Sequence, residues 1–206
     1  RCEMTALAAP ARIWPLADRL PLLDAWPEDG RDWMLDLSAL PRFGLRGPGT
    51  AAWLSGRGCP LPDTIHRTAE APGMTVVRLG GDEVVLLADP LPGPTGLAAL
   101  RQDWQQAAGP KGFDAWREET WCWLALTGPG LADALPLLTA VDTRPHVFGP
   151  GAVVQTRALH MDAVLVRNDR NGQPCLDMLF DVASSDYAAD FVADVLAGFQ
   201  MGRLAG

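Results

Sequence analysis

The chain has 206 residues, 48% of them apolar and 20% charged, with a formal net charge of −8. That apolar share suits one compact unit or two intimately packed halves. The acidic balance, with Lys111 the single lysine among 17 cationic side chains, argues against a nucleic-acid partner. No apolar run reaches the roughly 18 residues of a membrane span, and the first residues, RCEMTALAAPARIWPL, lack a secretory signal.

Residues 1–35, rich in Pro and Trp and periodic in neither sense, read as an irregular N-terminal arm with a strand near Trp33–Leu37. Its Trp14, Trp26 and Trp33 are candidates for exposed partner contacts, because Trp dominates such contacts. Residues 36–112 read as a first half-domain and 113–206 as a second, packed together as one unit.

In the first half, FGLRGPGTAAWL (43–54) predicts a strand alternating at Phe43 and Leu45, a turn at Gly47-Pro48-Gly49, and a helix from Ala51. TVVRLGGDEVVLLA (75–88) predicts a hairpin turning at Gly80-Gly81-Asp82. After a Pro- and Gly-rich loop at 89–96, Leu97, Leu100, Trp104 and Ala107 mark one helix face. GPKGFD (109–114) joins the halves and is too short for free domain motion.

The second half begins as the first does. LALTGPGLADAL (124–135) repeats the strand, the Gly-Pro-Gly turn and the helix, 81 residues on. A second hairpin spans 162–183, parted by the turn-rich residues 168–172. A closing helix starts at Ser184 or Ser185, either able to cap it, and shows Tyr187, Phe191, Val195, Leu196 and Phe199 on one face. Each half thus reads β-α-β-β-α. The expected class is α+β, with the halves related by a pseudo-twofold.

No chemical motif stands out. His66, His146 and His160 form no zinc-protease pattern, and no dinucleotide, P-loop or nucleophile-elbow signature is present. Cys2, Cys59, Cys122 and Cys175 lack CxxC spacing or a neighbouring His, so the expectation is no metal site and reduced thiols in a cytoplasmic protein. No residue is assigned a catalytic or cofactor-binding role. Arginine forks suit carboxylates, phosphates and inter-subunit ion pairs alike. Arg42 and Arg46, flanking the first repeated strand, are therefore candidate partner or anion contacts. In the run Arg144-Pro145-His146 the arginine is a further candidate partner or anion contact, and the histidine is a ligand contact or a solvent-facing loop residue.

Three segments carry a family resemblance. Asp36-Leu37-Ser38, continuing through Leu40-Pro41-Arg42-Phe43-Gly44-Leu45-Arg46-Gly47, resembles the opening of the gamma subunit of bacterial heterotetrameric sarcosine oxidase. Residues 78–87, RLGGDEVVLL, resemble that family's hairpin. Residues 141–156, with Arg144-Pro145-His146 and Pro150-Gly151, resemble its second-half signature. The likeness covers about residues 33–200 in register. It implies the fold shared by aminomethyltransferase and YgfZ-like folate-binding proteins, without the C-terminal barrel. It also implies a non-catalytic subunit, with larger flavoprotein partner subunits holding FAD, FMN, NAD, tetrahydrofolate and zinc in a complex that oxidatively demethylates sarcosine to glycine. The Lys-Gly-Cys-Tyr-x-Gly-Gln-Glu run of YgfZ-type proteins is absent, since Cys175 lies in Gln173-Pro174-Cys175-Leu176. Two alternatives stand beside this reading: a free-standing folate binder of the same fold, and the equivalent subunit of a complex acting on another N-methyl amino acid.

Overall fold

The computed structural model describes residues 13–91 and 96–205. Residues 1–12 of the expected arm, Cys2 among them, and 92–95 of the expected loop lie outside the described residues. The first part of the chain holds β1 (Leu22–Leu23), β2 (Trp33–Asp36), β3 (Arg42–Arg46), α1 (Thr50–Ser55), β4 (Arg67–Ala71), β5 (Met74–Arg78), β6 (Glu83–Ala88) and α2 (Leu97–Gln106). Then follow β7 (Phe113–Asp114), α3 (Arg117–Thr120), β8 (Trp121–Thr127), α4 (Leu131–Leu138), β9 (Val153–Ala158), β10 (Met161–Arg167), β11 (Cys175–Asp181), α5 (Ser185–Val195) and β12 (Gln200–Leu204).

The strands form two sheets. One runs β4-β5-β6-β3-β7; the other runs β9-β10-β11-β8-β2-β12-β1. The first five strands of each follow one scheme, antiparallel throughout: a hairpin, a third strand, the strand before the Gly-Pro-Gly turn, then a short leading strand. Among the described residues only the larger sheet continues, with β12 parallel to β2 and β1 parallel to β12.

The leading strands are exchanged. β2 precedes β3 along the chain but pairs with β8, Leu35 opposite Ala125. β7 precedes β8 but pairs with β3, Asp114 opposite Leu45. The chain crosses from the larger sheet to the smaller between β2 and β3, and back again between β7 and β8.

Both Gly-Pro-Gly turns need left-handed backbone at their first glycine, with φ of 100° at Gly47 and 124° at Gly128. Each turn also receives the segment that leads in a crossing strand. A Cβ on Gly49 would lie 2.8 Å from the Pro110 backbone, and one on Gly128 would lie 2.4 Å from Asp32 Oδ1. Asp32 Oδ1 in turn accepts the Gly130 N–H at 2.7 Å, satisfying a donor at the start of α4.

Period-two alternation gives each sheet an inner and an outer face. The inner faces pack on each other through Leu35, Leu37, Val77, Val85, Leu87, Trp123, Val166 and Leu179. α1 and α2 cover the outer face of the smaller sheet over Phe43, Leu45, Val76 and Leu86. α4 and α5 cover the larger sheet over Leu124, Leu126, Leu165 and Met178. The molecule is therefore layered helix, sheet, sheet, helix. Each fully buried Leu, Val or Phe in these layers contributes about 1.5–3 kcal/mol of transfer free energy.

Two local expectations change. Of the expected face, Leu196 is buried and Phe191 and Phe199 pack on the core, but Tyr187 and Val195 are exposed, and Ser185, Ala188, Ala189 and Val192 are the buried residues of α5 itself. Small side chains let the helix approach the sheet, so size misleads as a guide to its buried face. Neither serine caps α5 with its hydroxyl: Ser185 Oγ donates to the Val182 carbonyl at 2.6 Å. The carboxylate that accepts there is Asp181, from the Ala183 N–H at 2.8 Å.

Candidate functional site

Where the inner faces run past each other they leave two polar clefts. The first, about 460 Å³, has Thr68, Glu70 and Thr75 of the smaller sheet on one side, with Asp89 just beyond β6. The β10–β11 turn, Asn168 to Asn171, folds over it. That turn is fastened on both sides. Asn168 Nδ2 donates to Thr75 Oγ1 at 3.0 Å, and Asp169 Oδ1 accepts from Arg167 Nη1 at 2.5 Å and the Cys175 N–H at 3.2 Å.

Arg170 lines this cleft yet turns its charge inward. Its guanidinium meets the Asp177 carboxylate at 2.7 and 3.0 Å and Cys175 Sγ at 2.8 Å, with the side chains 5% and 0% exposed across the ion pair. Trp123 Nε1 donates to the same carboxylate at 2.9 Å, and the Trp26 ring lies 5.3 Å from the guanidinium carbon. Burial opposes the charge on Arg170, but Asp177 and Cys175 together outweigh it, so its pKa is raised and the cation is locked in place. Arg170 is thus consumed by its own chain. The cleft presents acceptors instead: Glu70, Asp89 and Asp169. Glu70 stands at the exposed rim, and burial against the cleft wall, then the charge of Asp89, raise its pKa.

The second cleft, about 720 Å³, is wider. Val164, Leu179 and Trp121 form its floor, and Gln155, Arg157, Asp162 and Asp181 its rim. Gln155 Nε2 donates to the Leu79 carbonyl at 2.9 Å and meets His66 Nε2 at 3.1 Å. Gln155 fastens this end of the sheets together as Asn168 does the other. Beside the cleft, the Arg117 guanidinium stacks 4.0 Å from the Trp121 ring and pairs with Glu83 at 2.5 Å.

The three thiols among the described residues are buried. Burial pushes Cys175 up to about 12 and, with the nearby Asp36 charge, Cys122 up to about 11; burial also raises Cys59. All three are held as neutral thiols at neutral pH, which removes them as nucleophiles. Among the described residues no group of three or more His, Cys, Asp or Glu is placed to hold a metal ion.

The residues singled out in the sequence scatter. Arg42 is fully buried and corrects the expectation of a surface contact. Its guanidinium donates to the carbonyls of Ser38 (2.9 Å), Leu40 (3.2 Å), Glu118 (2.9 Å) and Trp121 (2.8 Å), tying together the two crossing points of the chain. Arg46 is exposed at the end of β3, its Nε 3.7 Å from Glu83. Arg144 and His146 lie exposed in the α4–β9 connection. There Arg144 Nε donates to Asp142 Oδ1 at 2.8 Å, and this bonding holds the Asp142 carboxyl down at about 2.

Trp26 and Trp33 are 5% and 9% exposed, so these two belong to this chain's own core, a second correction. Trp14 is half-buried, its ring 5.6 Å from the Arg42 guanidinium. The exposed tryptophan is Trp116, at 62%, beside Phe113 at 71%. Both lie in or next to GPKGFD, and the glycines and proline there mask an aromatic pair as a plain connection.

With this geometry the chain is similar to two solved structures. A chain of the heterotetrameric sarcosine oxidase of Corynebacterium sp. U-96, in complex with pyrrole 2-carboxylate, aligns with a TM-score of 0.66 and 20% identity, over 85% of this chain and 88% of that one. The glycine cleavage system aminomethyltransferase T of Bartonella henselae aligns with a TM-score of 0.61 and 14% identity, over 84% of this chain and 48% of that one. The chain has their mixed α+β fold and spans about half the aminomethyltransferase's length. No protein-family model matches it, and no curated protein matches it in sequence.

Proposed function

We propose that this chain is a non-catalytic, gamma-type subunit of a heteromeric oxidase that demethylates sarcosine or another N-methyl amino acid. The observation that carries the reading is reciprocal length: the sarcosine oxidase chain is matched over 85% of this chain and 88% of its own. The aminomethyltransferase, by contrast, is matched over less than half of its length. Two features of the chain support it. The buried thiols are protonated at neutral pH, and the one arginine lining the acceptor-rich cleft is spent on Asp177. The shared strand order of the two sheets supports halves related by a pseudo-twofold. On this reading FAD, FMN, NAD, tetrahydrofolate and zinc belong to larger partner chains, and the complex works in the cytoplasm. No helix among the described residues is long and apolar enough to cross a membrane.

The test is co-expression with the flavoprotein chains of a heterotetrameric sarcosine oxidase. The expected result is stoichiometric co-purification, with peroxide released from sarcosine by the complex and none by this chain alone. Turnover by the isolated chain would overturn the reading. Tight tetrahydrofolate binding by a chain that assembles with nothing would replace it with the free-standing folate binder.

A further inference from the structure

The two sheets share five strands in the same order, but only one is finished at the leading-strand edge. Beyond β2 the larger sheet adds β12, parallel, with Leu35 opposite Gly202 and Met34 opposite Met201. Beyond β7 the smaller sheet adds nothing among the described residues. Ala115 N–H bonds the Gly44 carbonyl at 2.9 Å. By antiparallel alternation Asp114, one residue earlier and opposite Leu45, turns its own N–H and C=O away from β3. An unpaired edge of this kind is a template for another strand.

The side chains around that edge are those of an interface. Phe113 is 71% and Trp116 62% exposed, and they line a shallow groove of about 670 Å³ with Pro48, Pro110 and Trp104. Trp116 is held outward at φ 52°, a left-handed conformation that costs a non-glycine residue about 1 kcal/mol or more. Asp114 Oδ1 fixes this by accepting the Trp116 N–H at 2.8 Å. Two large aromatics beside a bare sheet edge combine backbone affinity with side-chain anchors.

We infer that the β7 edge, with Phe113 and Trp116, receives an extended apolar segment of a partner subunit, added as a strand parallel to β7 in the place that β12 fills on the other sheet. The occupant's chemistry is taken from the filled equivalent, a short strand carrying Met201 and Leu204. The inference rests on the subunit reading above and gives that subunit its docking face.

The experiment uses the full chain co-expressed with the same flavoprotein chains. In hydrogen exchange the Asp114 amide should be protected at least tenfold on assembly. Phe113→Ala with Trp116→Ala should weaken assembly about 30-fold or more while leaving thermal unfolding of the free chain near wild type. Asp114→Pro, which removes an N–H that β3 does not use, should also block assembly. Assembly of the wild-type chain without amide protection, or undiminished assembly of these variants, would overturn this inference alone. Failure of the wild-type chain to assemble would overturn the subunit reading and this inference with it. A free wild-type chain that dimerises through Phe113 and Trp116 would make a second copy the occupant and overturn the parallel partner strand.

Discussion

β2 and β7 hold the same place in their sheets and differ in nearly everything else. β2 is four residues long, buried throughout, and lies between β8 and β12. β7 is two residues long, partly exposed, and bonded on one side only among the described residues. The lead-in to β2 caps α4 through Asp32; the lead-in to β7 lays Pro110 and Lys111 against Gly49. A repeated scheme has thus been completed within the chain on one side and left open on the other. The asymmetry says which edge is structural and which is available.

Substitutions sharpen this contrast when their effect on folding is followed by urea denaturation. Leu35→Ala in β2 should have the largest effect, about 2–5 kcal/mol, because Leu35 is fully buried between the sheets. Next come the turn glycines. Gly128→Ala forces a Cβ to 2.4 Å from Asp32 Oδ1 and 2.7 Å from the Arg31 carbonyl, and should cost about 2–3 kcal/mol. At Gly47 the obstacle is the Phe113 ring, at 2.9 Å. That ring is exposed and can swing aside, so Gly47→Ala should cost about 1 kcal/mol. Equal losses at the two glycines would erase the distinction between the closed and open edges.

Asp32→Ala removes the acceptor for the Gly130 N–H and should cost about 1 kcal/mol. Asp36, at the end of β2, responds to pH. Burial raises its folded-state pKa, against the pull of the Ser38 hydrogen bonds and of Arg42. Folding therefore binds this proton more tightly than the unfolded chain does. The contribution favours folding below the unfolded pKa and is lost as pH rises through the folded value. Asp36→Asn keeps the acceptor that takes the Ser38 N–H at 2.9 Å. It should raise the melting temperature by a few degrees at neutral pH, and the gain should shrink on acidification. The smallest effect belongs to the open edge. Phe113→Ala in the free chain should change stability by no more than about 0.5 kcal/mol, and a larger loss would mean that β7 is structural after all.

Much of the architecture was legible in the sequence because it is written locally. The hairpin over 75–88 carries Gly80-Gly81-Asp82 between β-branched runs, and β5 and β6 follow it. The Gly-Pro-Gly repeats mark the ends of β3 and β8 and lead into α1 and α4. The edge strand β4 was missed because RTAEA has too little apolar content to show a period. The strand exchange left no local trace at all, since Leu35 meets Ala125 across the length of half the molecule. Arg42 was misplaced for a related reason. Nothing near it in sequence announces that the carbonyls of Glu118 and Trp121 will converge on its guanidinium. The acceptor-rich cleft could not be read either, because Glu70 and Asp169 are brought together only by the packing of the two sheets.

The strand order also sets a timetable for synthesis. β12 lies between β1 and β2, bonded to both. Residues 22–36 leave the ribosome early but have only Trp121–Thr127 and Gln200–Leu204 as sheet partners. The smaller sheet can close, apart from β7, once residue 88 has emerged, while Trp33 to Asp36 must wait with their apolar side chains unpaired. Domains generally fold in the order in which they are made, and unpaired apolar strands invite aggregation while they wait. Here an early segment and a late one are coupled. A ribosome stalled anywhere before residue 204 leaves an early strand without its neighbour, and nascent chains of increasing length should gain protease resistance for residues 42–88 well before residues 22–36.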